Sequence, residues 1–178
     1  MTPDTVVDFW MQAGDNRWFT RDAAFDGALK VRLGEAAAAA RAGAFADWLT
    51  TPDGALGLVL LLDQVPRNIY RGSPLAFASD ARAREVARFV LREAYLHAMP
   101  APRATWFVLP FEHSENIDDQ HRCKALFQTM GLSEMVYWAQ MHLDIIARFG
   151  RFPHRNKVLG RTSTPDELAF LAAGGFSG

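Results

Sequence analysis

Hydrophobic and polar positions along the chain follow helical spacing almost throughout. The pattern predicts short helices over 5–11, 22–33 and 34–48, the last carrying a run of five alanines. Residues 54–64 are apolar on every side, as expected of a buried helix. From 80 to 97 the pattern is amphipathic, with Val86, Phe89, Val90 and Ala94 inward and Arg84, Arg88 and Arg92 as a solvated outer row. Residues 104–111 are apolar and β-leaning, and periodicity leaves a strand and a buried helical turn both open. A helix follows over 116–130, ended by Gly131. Ser133 then caps a helix to Phe149, with Leu132 and Tyr137 as a hydrophobic staple and Gly150 as its stop. Residues 150–163 read as irregular and rich in arginine, before a last helix over 165–173.

Three helix starts share one form. Thr2-Pro3-Asp4, Thr51-Pro52-Asp53 and Thr164-Pro165-Asp166 each offer a threonine cap followed by proline at the first helical position. Glu167 completes a capping box with Thr164. Their unequal spacing gives no legible repeat consensus, and a degenerate helical repeat stays open. No series of alternating strands is present. The expectation is an all-α fold, one helical domain over 1–178 built of antiparallel helix pairs.

Bulk composition narrows the function classes. The chain has 178 residues, 49% hydrophobic and 22% charged, enough to bury a core without disulfides. Nineteen basic and twenty acidic residues leave a net charge of −1, so no nucleic-acid partner is expected. Sixteen of the cations are arginine, the side chain suited to forked contacts with carboxylate and phosphate. Cys123 is the lone cysteine, which excludes an intramolecular disulfide and favours a reducing compartment. The first ten residues lack the basic-then-apolar layout of a signal peptide, and no apolar run is long enough for a bilayer. These features together predict a cytoplasmic protein without a membrane partner.

Four stretches carry candidate chemistry. In LLLDQVPRNIYR, Asp63 and Arg67 stand at i,i+4 on an apolar face and can pair, while Pro66 frees a carbonyl. The pair either closes a helix end or orients an arginine toward an anion; Gln64 and Arg71 accompany it. In PFEHSE, His113 neighbours Glu112 and Glu115, with Gln120 on the same stripe, an arrangement fit for acid–base work or for a helix start. His142 lies on an apolar helix face with Met135, Trp138, Ile145 and Phe149, a setting that suits a core histidine or a ligand group. The stretch FGRFPHRNKVLGR brings Arg151, His154, Arg155, Asn156 and Arg161 together with two glycines, a composition suited to holding an anion. No phosphate-loop, dinucleotide-binding, zinc or nucleophile-elbow signature occurs, and no histidines stand at i,i+4, so neither a metal nor a cofactor is expected.

The strings LLLDQVPRNIYRGSPLAFASD, LPFEHSE with DQ shortly after, and FGRFPHRNKVLGRTSTPDELAFL resemble the signatures of the bacterial DUF924 family. The opening FW, Trp18-Phe19 and Phe25-Asp26 agree with it, and Val65 replaces the family's usual phenylalanine after DQ. The resemblance implies an all-helical, tetratricopeptide-like fold and supplies no activity. It marks Asp63, Gln64, Arg67, Arg71, His113, Ser114, Glu115, Gln120, His142, Arg151, His154, Arg155, Asn156 and Arg161. The leading expectation is a small-molecule binder or enzyme for a phosphate- or carboxylate-bearing ligand. His113 and His154 are its acid–base candidates, with Glu112 or Glu115 as the orienting group. The alternatives are a peptide-binding groove and a purely structural polar network.

Overall fold

The computed structural model describes residues 1–176, and all regular structure among them is helical. They divide into two compact units. The first comprises Met1–Arg71 and Leu75–Pro110; the second takes Gly72–Pro74 and the chain from Phe111 onward.

In the first unit, α1 (Pro3–Ala13) packs on α4 (Pro52–Val59), and α3 (Ala23–Ala42) packs on α5 (Val65–Ile69). Two further helices complete it, the one-turn α2 (Asp15–Trp18) and α6 (Asp80–Arg92), together with most of α7 (Ala101–Glu112). All three threonine caps form as the sequence implies. Thr2, Thr51 and Thr164 each accept a backbone N–H with the side-chain oxygen, and Glu167 closes the capping box. The start of α4 admits only glycine at position 54, because a Cβ there would lie 2.0 Å from the Trp48 carbonyl oxygen.

Several expectations change. Gly34 does not break α3, whose buried stripe of Phe25, Leu29, Leu33, Ala36, Ala37 and Ala40 runs past it. One helical glycine costs about 1 kcal/mol, less than a continuous buried face returns. The helix ends instead at Gly43, in the left-handed region at φ 108. Of the two readings open for residues 104–111, the helical one holds, inside α7, where burial of Trp106–Phe111 outweighs β propensity. Helix α6 stops at Arg92. Ala94 then turns left-handed and is exposed, so the inner stripe is Ala83, Val86, Ala87 and Val90. Tyr137 is 67% exposed and forms no staple, and Leu132 rather than Ser133 takes the cap position.

Between α4 and α5 the chain makes a π turn over Leu60–Gln64, all of it buried. Pro66 has no N–H to offer Leu62, and the Ser79 hydroxyl donates to that carbonyl at 2.6 Å. Arg67 Nη1 donates to the Asp63 carbonyl at 2.7 Å. The freed backbone is therefore satisfied from two elements, only one of which is local.

The second unit is a helical hairpin, α8 (Ile117–Thr129) against α9 (Ser133–Phe149), followed by a 3-10 turn at Pro153–Arg155 and α10 (Pro165–Ala172). One core cluster of this unit is Ile145, Ile146 and Phe152, with Met141, Phe149, Phe170 and Phe176 packed around them. Among the described residues no helix is long and apolar enough to cross a membrane.

Candidate functional site

Asp63, Gln64, Arg67 and Arg71 form one network inside the first unit. Asp63 is fully buried and lies 3.1 Å from Arg67 Nη1. The same guanidinium meets Asp80 fork to fork, with both contacts at 3.0 Å. Burial alone would weaken the charge on Arg67. The two carboxylates overcome that and hold it above its ordinary pKa. Gln64 donates its amide to Asp63 Oδ2 at 2.6 Å. Arg71 grips Asp26 through Nε and Nη2, and Asn68 donates to the same carboxylate at 2.9 Å. Each of these cations is matched by a carboxylate within the unit.

The second unit gathers the other predicted residues. Its organising point is the C-terminal end of α7, where helical carbonyls lose their intrahelical partners. Gln120, fully buried on α8, donates Nε2 to the Glu112 and Ser114 carbonyls at 2.6 Å each and reaches Phe111 O at 3.3 Å. Arg155 donates Nη1 to the His113 carbonyl at 3.0 Å and lays its guanidinium 4.4 Å above the Phe152 ring. Ser114 donates to Asp119 at 2.9 Å.

Glu115 then fastens the arginine-rich loop. It accepts the Phe152 N–H at 2.8 Å and both terminal nitrogens of Arg161 at 2.7 and 2.9 Å. Burial works against its charge, but the bonds from Arg161 and Phe152 prevail and lower its pKa. Arg161 Nε also donates to Asn156 Oδ1 at 2.9 Å. Arg151 forks onto Glu167 at 2.6 and 2.8 Å, and Asn156 donates to the same carboxylate. An open groove of about 460 Å³ beside them is lined by Arg148, Phe149, Arg151, Thr164, Asp166 and Glu167, with Arg151 matched by Glu167 and Arg148 over the Phe149 ring.

Two histidines stand apart from these ion pairs. His142 on α9 shares its Nδ1 hydrogen with the Trp138 carbonyl at 2.9 Å. A carbonyl only accepts, so Nδ1 carries the proton and Nε2 presents a lone pair. Glu112 Oε1 lies 3.9 Å from the same Nδ1. Burial holds His142 neutral, with its pKa down at about 4 against the pull of the Trp138 carbonyl. His154 is pushed down to about 3, first by burial and then by the charges of Arg155 and Arg161. Its Nδ1 is buried with no hydrogen-bond partner among the described residues. Phe152 lies 5.6 Å from each imidazole, and Phe176 lies 4.6 Å from His142 and 5.3 Å from His154.

The remaining candidates have plainer surroundings. Cys123 is buried with Sγ 3.9 Å from Glu112 Oε2, and burial pushes its thiol pKa up, away from a reactive thiolate. Among the described residues no group of three or more His, Cys, Asp or Glu side chains is placed to hold a metal ion.

The sequence candidates thus fall into two networks, one in each unit. Sequence reasoning missed Asp26, Ser79, Asp80 and Glu167 as the partners of Arg71, Leu62 O, Arg67 and Arg151. It also missed Phe176. Asp26 and Asp80 stand inside the quoted motif strings, which was the available signal.

Comparison with known proteins agrees with this architecture. The family model described as "Bacterial protein of unknown function (DUF924)" matches residues 6–175. A solved structure of a protein of unknown function from Agrobacterium tumefaciens is 41% identical and superposes with a TM-score of 0.93 over 97% of each chain. No curated protein matches the chain. With nearly its whole length matched by that family model, and the all-helical fold shared with a 41% identical relative, the chain belongs to the bacterial DUF924 family.

Proposed function

We propose that the second unit receives a small ligand bearing a phosphate or carboxylate group, as a binding protein or as an enzyme, at His154. One observation carries this reading. His154 Nδ1 is a buried polar atom left without a partner among the described residues, in a field that Arg155 and Arg161 make positive. An unmet buried donor or acceptor costs about 1–3 kcal/mol, so a group that satisfies it binds favourably. A neutral imidazole with hydrogen on Nδ1 donates to an anionic oxygen without competing with the nearby guanidinium charges for desolvation.

The arginines support this site indirectly. Arg161 and Arg151 are spent on Glu115 and Glu167, and Arg155 on the His113 carbonyl. They contribute field and rigidity, while His154 makes the contact. In the enzyme form of the reading, the imidazole of His154 or His113 moves the proton and Glu115 holds the loop in register. A peptide's carboxylate belongs to the same ligand class, so a tetratricopeptide-like peptide-binding role makes the same demand on His154. A cytoplasmic setting belongs to the proposal as well, supported by the lone, unpaired Cys123.

A second reading, that the polar motifs only fix helix register, draws support from the carboxylate partners of Arg67, Arg71, Arg151 and Arg161. Calorimetric titration with inorganic phosphate and with acetate separates the two. The ligand reading expects saturable binding that His154→Ala abolishes while the protein stays folded. Equal binding by the two proteins, or none by either, overturns it in favour of the structural reading.

A further inference from the structure

The two imidazoles and two phenyl rings close into a box. Around it run His142 to Phe152 at 5.6 Å, Phe152 to His154 at 5.6 Å, His154 to Phe176 at 5.3 Å and Phe176 to His142 at 4.6 Å. Both contacts of Phe176 with the histidines are edge-on, with interplanar angles of 66° and 77°. The four walls differ in how they are held. His142 is built into α9, and Phe152 is fully buried with its N–H bound to Glu115. Phe176 is only half-buried and reaches the box from the segment after α10. That segment is attached through two backbone bonds, Gly174 N–H to Leu171 O and Gly175 N–H to Phe170 O. Neither glycine brings a side chain to the packing, so moving Phe176 aside costs little beyond its own ring contacts.

Resting on the anion-site reading above, we infer that the ligand carries an aromatic ring beside its anionic group, and that Phe176 occupies the ring's place between His142 and His154. The chemical class is an aryl carboxylate or aryl phosphate. Its ring replaces the Phe176 ring against two uncharged imidazoles and Phe152. Its anionic oxygen reaches Nδ1 of His154, near Arg155. While Phe176 is in place the ring's position is open only in the fraction of molecules where the Phe176 ring has moved out, and apparent affinity for a ring-bearing anion falls by that fraction, whereas a ring-free anion reaches His154 without displacing it.

The test titrates the full chain, Phe176→Ala and Phe176→Leu with benzoate and phenyl phosphate, and with ring-free acetate and inorganic phosphate. Thermal unfolding of each variant reports its fold. The expected result is that Phe176→Ala tightens benzoate and phenyl phosphate by about tenfold or more and leaves acetate and phosphate unchanged. Phe176→Leu falls between, and His154→Ala abolishes binding. If ring-bearing and ring-free anions respond alike to Phe176→Ala, the ring assignment is overturned while a His154-dependent phosphate site stands. If no anion binds any of the proteins, both are overturned. Should Phe176→Ala fail to fold, the benzoate-to-acetate ratio in Phe176→Leu decides, and a ratio equal to that of the unaltered chain overturns the inference.

Discussion

Arg161 grips Glu115 with both terminal nitrogens, Nη1 to Oε2 at 2.7 Å and Nη2 to Oε1 at 2.9 Å, while Oε1 also accepts the Phe152 N–H. One carboxylate thereby sets the position of Phe152 and, through the next residues, of His154. Lysine cannot reproduce the fork. Arg161→Lys is expected to cost about 1–3 kcal/mol of stability by urea denaturation. A loss below about 0.5 kcal/mol, the scale of an exposed ion pair, would show that the fork does not hold the loop.

Arg67 neutralises two carboxylates at once, Asp63 and Asp80. Asp63 is fully buried, so removing the cation leaves a carboxylate charge in the core without its arginine. Arg67→Ala is expected to destabilise the chain by about 3–5 kcal/mol. Arg71→Ala, whose pair with Asp26 is more exposed, is expected to cost clearly less. Comparable losses for the two in parallel denaturation curves would contradict this ranking.

Ser79 is a smaller but sharper case. Its hydroxyl meets the Leu62 carbonyl that Pro66 cannot serve. Ser79→Ala leaves that buried carbonyl unmet and is expected to cost about 1–3 kcal/mol, against near neutrality for a serine with no such bond. The double variant with Pro66→Ala restores a donor to the helix and is expected to recover part of the loss.

Acid sensitivity follows from the histidines and carboxylates together. His142 and His154 fall from an ordinary 6.5 to about 4 and about 3 in the folded chain. The unfolded chain therefore binds protons first, and stability declines as pH drops below about 6.5. Glu167 is lowered from 4.5 to about 2, chiefly by Arg151, and Glu115 is lowered as well. Their contribution is present above about pH 4.5 and is lost as pH falls toward 2. Melting temperature is expected to fall in two stages on acidification. In proton NMR the two imidazoles are expected to show no titration between pH 8 and 5. A midpoint near 6.5 for either would contradict their burial as neutral rings.

The parts legible in the sequence were those set by local chemistry. The Thr-Pro-Asp caps act over three residues, and Gly131 and Gly150 end helices through their own positive φ. Asp63 and Arg67 stand one helical turn apart, and their pairing could be read from spacing alone. Partners brought in by tertiary folding could not. Asp80 lies 13 residues from Arg67, and Asp26 lies 45 from Arg71. The histidines were visible as candidates, yet the box they form depends on Phe176, which lies beyond the last helix that the sequence pattern predicts. Gly34 misled because burial of a continuous face overrode the local preference, and the same burial decides residues 104–111, which periodicity leaves open between a strand and a buried helical turn.

The most direct test of the anion site is nitrogen-15 NMR of the imidazoles during titration with inorganic phosphate. Binding at His154 is expected to shift its Nδ1 resonance and leave that of His142, whose Nδ1 is already bound to Trp138 O, nearly unmoved. A saturating shift confined to His154 would support the account. Unchanged resonances at both histidines up to high phosphate would contradict it.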